Sequence, residues 1–142
     1  MTIIYLRPSM FRLALVVVFA LPIVVGCETL GDRSVDFDYV HTAIMRPSCA
    51  TAACHSAITV QSGLDLSTRA LAYESLVRRP CGSTEEPVDE RGVNVDPGHP
   101  ETSPLMSWLR GEYNDTMPPD VPLPAVEIEA IELWILEGAP CD

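Results

Sequence analysis

The chain has no lysine. All nine of its basic residues are arginines, set against twenty Asp and Glu, for a formal net charge of −11. A surface this poor in positive charge lacks the electrostatic attraction that dominates binding to phosphate backbones, which argues against nucleic acid as a partner. Aromatic residues make up only 6% of the chain. No segment alternates apolar and polar residues over the length of a strand, and no internal repeat is found, so helices and loops are the material of the fold. Nucleophile–base pairs and carboxylate pairs at a fixed spacing are also missing, so no enzymatic activity is expected. The longest apolar run, from Leu13 to Val25, falls short of the roughly 20 residues that a bilayer-spanning helix needs.

That run has another use. Arg7 and Arg12 precede it, and it ends in Val24-Val25-Gly26-Cys27. A positive n-region, a short apolar h-region and a small residue before a cysteine form a secretory signal. The segment resembles the lipobox of bacterial lipoprotein signal peptides. The resemblance implies a signal peptide over 1–26, a lipid on Cys27, a short tether over 27–34 and a domain over 35–142. It places the protein outside the cytoplasm, held by its lipid to a bacterial membrane and facing the periplasm or the cell surface. An uncleaved N-terminal anchor with an incidental cysteine is the other reading, and it exports the rest of the chain equally.

From Cys27 onward 116 residues remain, enough for one domain with a modest core. They carry seven arginines and all twenty acidic residues, a balance of −13. Such a charge favours a basic or neutral protein partner, or is simply a soluble acidic surface.

Apolar spacing within this part predicts four short helices. The first runs from Val35 to Met45, with Phe37, Val40, Ile44 and Met45 on one side, and ends before Pro47. The second spans Thr68 to Val77, with Leu71, Leu76 and Val77 as its apolar set. The third covers about 103–109, with Leu105, Met106 and Trp108, and the last about 125–137, with Ile128, Ile131, Trp134 and Ile135 on one face and Gly138 as its cap. Between them lie a turn at Gly63-Leu64-Asp65-Leu66, an irregular stretch over 78–100 and a proline-rich loop holding Met117-Pro118-Pro119. Long loops around few helices need something to fold on, and a large apolar cofactor supplies it.

Export decides how the cysteines are read, because thiols outside the cytoplasm do not stay free. With Cys27 set aside, Cys49, Cys54, Cys81 and Cys141 remain. Cys49-Ala-Thr-Ala-Ala-Cys54-His55 is a widened form of the Cys-x-x-Cys-His run through which haem c is attached: two thiols bond the vinyl groups and the next residue, His55, reaches the iron. A Cys49–Cys54 disulfide with His55 as a bystander is the alternative. Met117 is either a thioether ligand on the other side of the iron or an apolar plug.

Taken in order, Ile44, the run Cys49 to His55, Gly63-Leu-Asp-Leu66, Tyr73-Glu-Ser-Leu-Val77, Asp96-Pro-Gly-His-Pro-Glu-Thr-Ser-Pro-Leu105, Met117-Pro-Pro119 and Ile128 to Ala139 resemble the small class I-like cytochrome c domain of exported bacterial proteins, including the planctomycete type. The likeness extends over about residues 36–140. It implies an all-α, cytochrome c-like fold around one covalent haem c, with His55 proximal and Met117 distal, and a last helix that crosses the first with Trp134 near Phe37. The implied role is electron transfer to a redox partner protein that is basic or neutral where it docks. Many members carry a proline soon after the attachment run, whose preceding carbonyl orients the proximal histidine; Ser56-Ala57-Ile58 has none, and the orienting group is not legible here. Trp108 and the arginines are candidates for holding a haem propionate.

With the first pair on the haem, Cys81 and Cys141 are the expected disulfide, pinning the last helix to the irregular stretch; a Cys–His zinc site is a weaker alternative, since the spacing is wrong for paired knuckles. His41 is read as a partly buried core residue and His99 as exposed in its Pro-Gly-His-Pro turn, and either is a lesser alternative to Met117. The competing function is a haemless, disulfide-stapled envelope lipoprotein used for binding or structure.

Overall fold

The computed structural model describes residues 35–84 and 92–141. The expected signal peptide over 1–26, the expected tether over 27–34 and Cys27 lie outside the described residues. So does the centre of the irregular stretch. Among the described residues there is no strand, and no helix is long and apolar enough to cross a membrane.

Among the described residues, four helical segments and a short 3-10 turn, Gln61–Gly63, build the domain. The first, α1, occupies 37–48 and has three parts: an α-turn Phe37–Tyr39, a π-helical turn Val40–Met45 and a final α-turn Arg46–Ser48. Asp36 caps its start by accepting the Tyr39 N–H at 2.7 Å. Proline 47 does not end this helix, contrary to the sequence-based expectation. In a regular helix its ring would collide with the carbonyl four residues back. Here the wider π turn comes just before it, with the Arg46 N–H reaching His41 five residues back, and Pro47 closes the last turn without a donor being missed.

Helix α2 is Arg69–Val77, capped by the Thr68 hydroxyl, which accepts the Leu71 N–H. Its buried residues are Ala72, Tyr73, Leu76 and Val77. Leu71 is 41% exposed and does not belong to the apolar set assigned to it. Helix α3 is Pro104–Arg110, with Pro104 at its first position and Gly111 beyond its end at φ 69°. Helix α4 is Ala125–Leu136, with Ala130, Ile131, Trp134 and Ile135 buried and Gly138 at φ 95° after its end.

The core lies where α1 and α4 cross. Phe37 and Trp134, both fully buried, stack with ring centroids 4.9 Å apart, and Tyr73 meets Phe37 edge-on at 5.4 Å. The indole N–H of Trp134 donates to the Pro140 carbonyl at 2.8 Å and the Tyr73 hydroxyl to the Ala139 carbonyl at 3.1 Å, so both rings also fasten the C-terminal tail. The Cys81–Cys141 disulfide is formed, closing a sequence separation of 60 residues. Constraining a loop of that length in the unfolded chain is worth about 4 kcal/mol. Arg69 donates to the Cys141 carbonyl beside it.

The Asp96–Ser103 turn is knit by one buried hydroxyl. Ser103 accepts the Asp96 N–H at 2.9 Å and donates to the His99 carbonyl at 2.9 Å, while the Gly98 N–H reaches the Ile135 carbonyl of α4. His99 itself is exposed and pairs with Glu101 at 3.2 Å.

Candidate functional site: a cavity lined by two thiols, an imidazole and a thioether

The turn after α1 carries the cysteines and His55, and its backbone is bonded to itself. Cys49 and Ala50 both donate to the Met45 carbonyl, and the His55 N–H donates back to Cys49 at 3.1 Å. Ser56, 9% exposed, accepts the Ile58 and Thr59 N–H groups, and the Thr59 hydroxyl donates to the Ala52 carbonyl at 2.6 Å. Small residues between the cysteines let the segment coil this tightly.

His55 is gripped at three points. Its N–H donates to Cys49, its carbonyl accepts the Leu66 N–H at 2.8 Å, and its ring Nδ1 lies 3.0 Å from the Gln61 carbonyl. A carbonyl can only accept, so Nδ1 carries the proton and Nε2 the lone pair of the neutral ring. The orienting group that the sequence did not disclose is therefore the Gln61 carbonyl. It reaches the ring because the backbone on either side is left-handed: Val60 has φ 44° and ψ 48°, and Ser62 has φ 56°. For a β-branched valine this conformation is strained, costing about 1–3 kcal/mol. The bonded turn around it holds the strain in place.

The loop after α3 brings Met117 to the same place. The Trp108 carbonyl accepts the N–H of Gly111 and, at 3.0 Å, that of Met117, folding 111–117 back under the helix. Met117, Pro118, Cys49, Cys54 and His55 then line one cavity of ≈ 330 Å³. That volume lies in the range of cofactor pockets, about 300–1,000 Å³. Leu64, Leu66, Leu76, Leu105, Leu109 and Ile131 give it an apolar wall. All four residues singled out as haem contacts in the sequence are thus neighbours. Cys49 and Cys54 are both free thiols in this structure.

Several lining residues were not foreseen. Met45, assigned to the core alone, also faces this cavity as a second thioether, and Arg78 and Asn94 line it from the irregular stretch. Nothing in the periodicity of 78–100 marks these two. His41 does not line the cavity; it is 3% exposed, more deeply buried than expected, and its Nε2 lies 3.1 Å from the Leu66 carbonyl. Among the described residues no three His, Cys, Asp or Glu side chains converge to hold a metal ion. Trp108 also lines a separate surface recess with Glu112, Tyr113, Asn114 and Asp115.

Burial pushes the Cys49 thiol up to about 11, with Cys54 and Glu127 adding to the rise. The nucleophile is the thiolate, so burial lowers the reactivity of Cys49 at neutral pH. A raised pKa stabilises the fold fully below the ordinary value of 9.0, and that contribution is lost as pH climbs through about 11. It is on the order of 2 kcal/mol. Denaturant midpoints measured on either side of this window are expected to fall more for the wild type than for Cys49→Ala. Parallel falls for both proteins would show that Cys49 has no such role.

Comparison of the chain with protein-family models, curated proteins and solved structures gives no match.

Proposed function

We propose that the protein is a lipid-anchored, single-haem c-type cytochrome that carries electrons outside the cytoplasm. The observation that carries this reading is the meeting of Cys49, Cys54, His55 and Met117 around one apolar cavity, with the imidazole already aimed by the Gln61 carbonyl. Cys49 and Cys54 would hold the group covalently. Each S–H would add across a vinyl double bond, the sulfur bonding one carbon and the proton going to the other, with no oxidant needed. The haem, once bound, supplies one-electron chemistry at its iron.

The remaining work belongs to the chain. His55 offers Nε2, and its Nδ1–H···O=C bond fixes the tautomer and raises the basicity of the ligating nitrogen. Met117 offers a thioether, which favours the reduced state. The leucines and Ile131 exclude water. An acidic surface steers a basic or neutral redox partner to a small, short-lived contact, at a rate that falls as salt rises. Cys27 carries the lipid, which radioactive palmitate incorporation, absent in Cys27→Ala, tests.

The deciding experiment is expression of the full chain together with a c-haem maturation system. After denaturing precipitation, the pyridine haemochrome is expected to stay with the protein. A colourless precipitate whose mass shows a Cys49–Cys54 disulfide beside Cys81–Cys141 would instead establish a haemless, stapled lipoprotein.

A further inference from the structure

His41 takes no part in the cavity and yet is bonded to its frame. It is 3% exposed, sits in the π turn of α1 and does not line the cavity. Its Nε2 lies 3.1 Å from the Leu66 carbonyl. A carbonyl only accepts, so the proton is on Nε2 and Nδ1 keeps the lone pair. Nδ1 is buried without a hydrogen-bond partner among the described residues. Stranding a buried acceptor costs about 1–3 kcal/mol, and a phenylalanine in the same apolar setting would carry no such penalty. The Nε2–H donor is what only the imidazole supplies.

That donor reaches the segment that aims His55. Leu66 is 4% exposed, its side chain lines the cavity, and its N–H donates to the His55 carbonyl at 2.8 Å. Earlier in the same segment, the Gln61 carbonyl accepts from the His55 ring. Residues 61–66 are tied at their start by the Gln61 N–H, which donates to the Cys54 carbonyl at 3.2 Å. Near their end the Asp65 N–H donates to the Ser75 hydroxyl of α2, also at 3.2 Å. His41 adds the tie to α1. The left-handed Val60 and Ser62 flank Gln61, and such a conformation persists only where its surroundings over-determine it. Loss of a tie therefore lets the Gln61 carbonyl turn away from the ring. The π turn fits this use: π turns are rare and recur at functional sites, and this one sets His41 against Leu66 and Met45 against the cavity.

We propose that His41 is the positioning residue of the His55 ring: by holding the Leu66 carbonyl it anchors segment 61–66 to α1 and keeps the Gln61 carbonyl on Nδ1–H. The inference rests on the haem reading of the cavity and deepens it, since that bond sets the basicity of Nε2 as an iron ligand. His41 acts through Leu66 and does not ligate the iron.

Nitrogen-15 shifts of the two imidazoles report which ring nitrogen holds the proton. They are read on the full chain produced without haem maturation, at about pH 8, where ordinary imidazoles are neutral. Wild type is expected to show His41 as the Nε2–H form and His55 as the Nδ1–H form. His41→Phe fills the space without the donor, and His41→Asn is too short to reach Leu66; each is expected to move His55 toward a mixture of the two forms. His41→Gln, whose carboxamide can donate to Leu66, is expected to restore Nδ1–H. Tyr73→Phe also loses a buried donor, to the Ala139 carbonyl at 3.1 Å, and is expected to leave His55 as it is. In the haem-loaded chain His41→Phe is expected to raise the reduction potential, because a less basic ligand stabilises ferric iron less. The expected change is about tenfold in the ratio of reduced to oxidised iron, which is roughly 59 mV for one electron. Either histidine in the other tautomer in wild type would overturn the proposal without any variant. So would His55 unchanged in whichever of His41→Phe and His41→Asn folds, or a potential that moves no further than in Tyr73→Phe. Failure of haem attachment strikes the cytochrome reading, while the tautomers still decide the tie from His41 to His55. Covalent haem with an unmoved potential leaves the cytochrome reading intact and removes His41 from it.

Discussion

Trp134→Ala is expected to destabilise the domain by about 3–5 kcal/mol, enough to leave little folded protein at ordinary temperatures. Large-to-small changes of buried aromatic residues cost this much through lost transfer energy and the cavity left behind. Trp134 has three further reasons to lie at the upper end. It is fully buried, its ring stacks on Phe37 at 4.9 Å, and its N–H satisfies the Pro140 carbonyl, so truncation also strands a backbone acceptor. A small domain has only about 5–15 kcal/mol in total. Because Pro140 neighbours Cys141, the disulfide is expected to keep the tail near α2 while the α1–α4 crossing loosens. Denaturant unfolding followed by circular dichroism measures the loss, with Leu71→Ala, on an exposed side chain, changing stability by less than about 0.5 kcal/mol. A loss for Trp134→Ala no larger than that of Leu71→Ala would mean that the crossing is not the centre of the fold.

The parts of this fold written in local signals were legible. Thr68 before an apolar set and Gly138 after one mark α2 and α4 to within a residue, because caps are chosen by the backbone groups they satisfy. The disulfide followed from cysteine arithmetic once export, and a haem on Cys49 and Cys54, were assumed. What was misread depends on phase. Ala72 with Leu76, and Tyr73 with Val77, are the i, i+4 pairs that turn inward in α2, and Leu71 sits one step off that stripe despite being leucine. The π turn was invisible because a regular 3.6-residue period places Phe37, Val40 and Ile44 inside just as well, and only the tolerance of Pro47 betrays the extra width. For the cavity, a compact run of cysteines and one methionine was readable from residue type. The Gln61 carbonyl was not, since every residue has a carbonyl and its direction is set by the left-handed Val60 and Ser62. Arg78 is at the wall as the left-handed cap of α2, bonded to Glu74, and Asn94 is brought there by its N–H bond to the Leu76 carbonyl, a tertiary contact that leaves no periodic trace.

Met117→Ala, in chain that has taken up covalent haem, is expected to remove the weak far-red absorption of a sulfur-ligated ferric iron and to lower the reduction potential. A thioether stabilises the reduced state, so its loss favours the oxidised one. The haem remains attached, because Cys49, Cys54 and His55 are untouched, and the pyridine haemochrome is unchanged. The cavity itself supplies the control: Met45 lines it too, is 2% exposed and projects from the rigid π turn of α1. Met45→Ala is expected to cost about 2–5 kcal/mol of stability through a core cavity, yet to retain the far-red band. The assignment has a mechanical reason. Met117 sits in a loop tied to α3 by one Trp108 carbonyl bond and followed by Pro118, so its sulfur can adjust to an iron without disturbing the core, whereas Met45 is packed among Phe37's neighbours. Reversal of the pattern, with the band lost in Met45→Ala and kept in Met117→Ala, would transfer the distal ligand to α1. Loss in neither would leave the sixth position to a nitrogen or to water, and His41 is held from it by the Leu66 carbonyl, 3.1 Å from its Nε2.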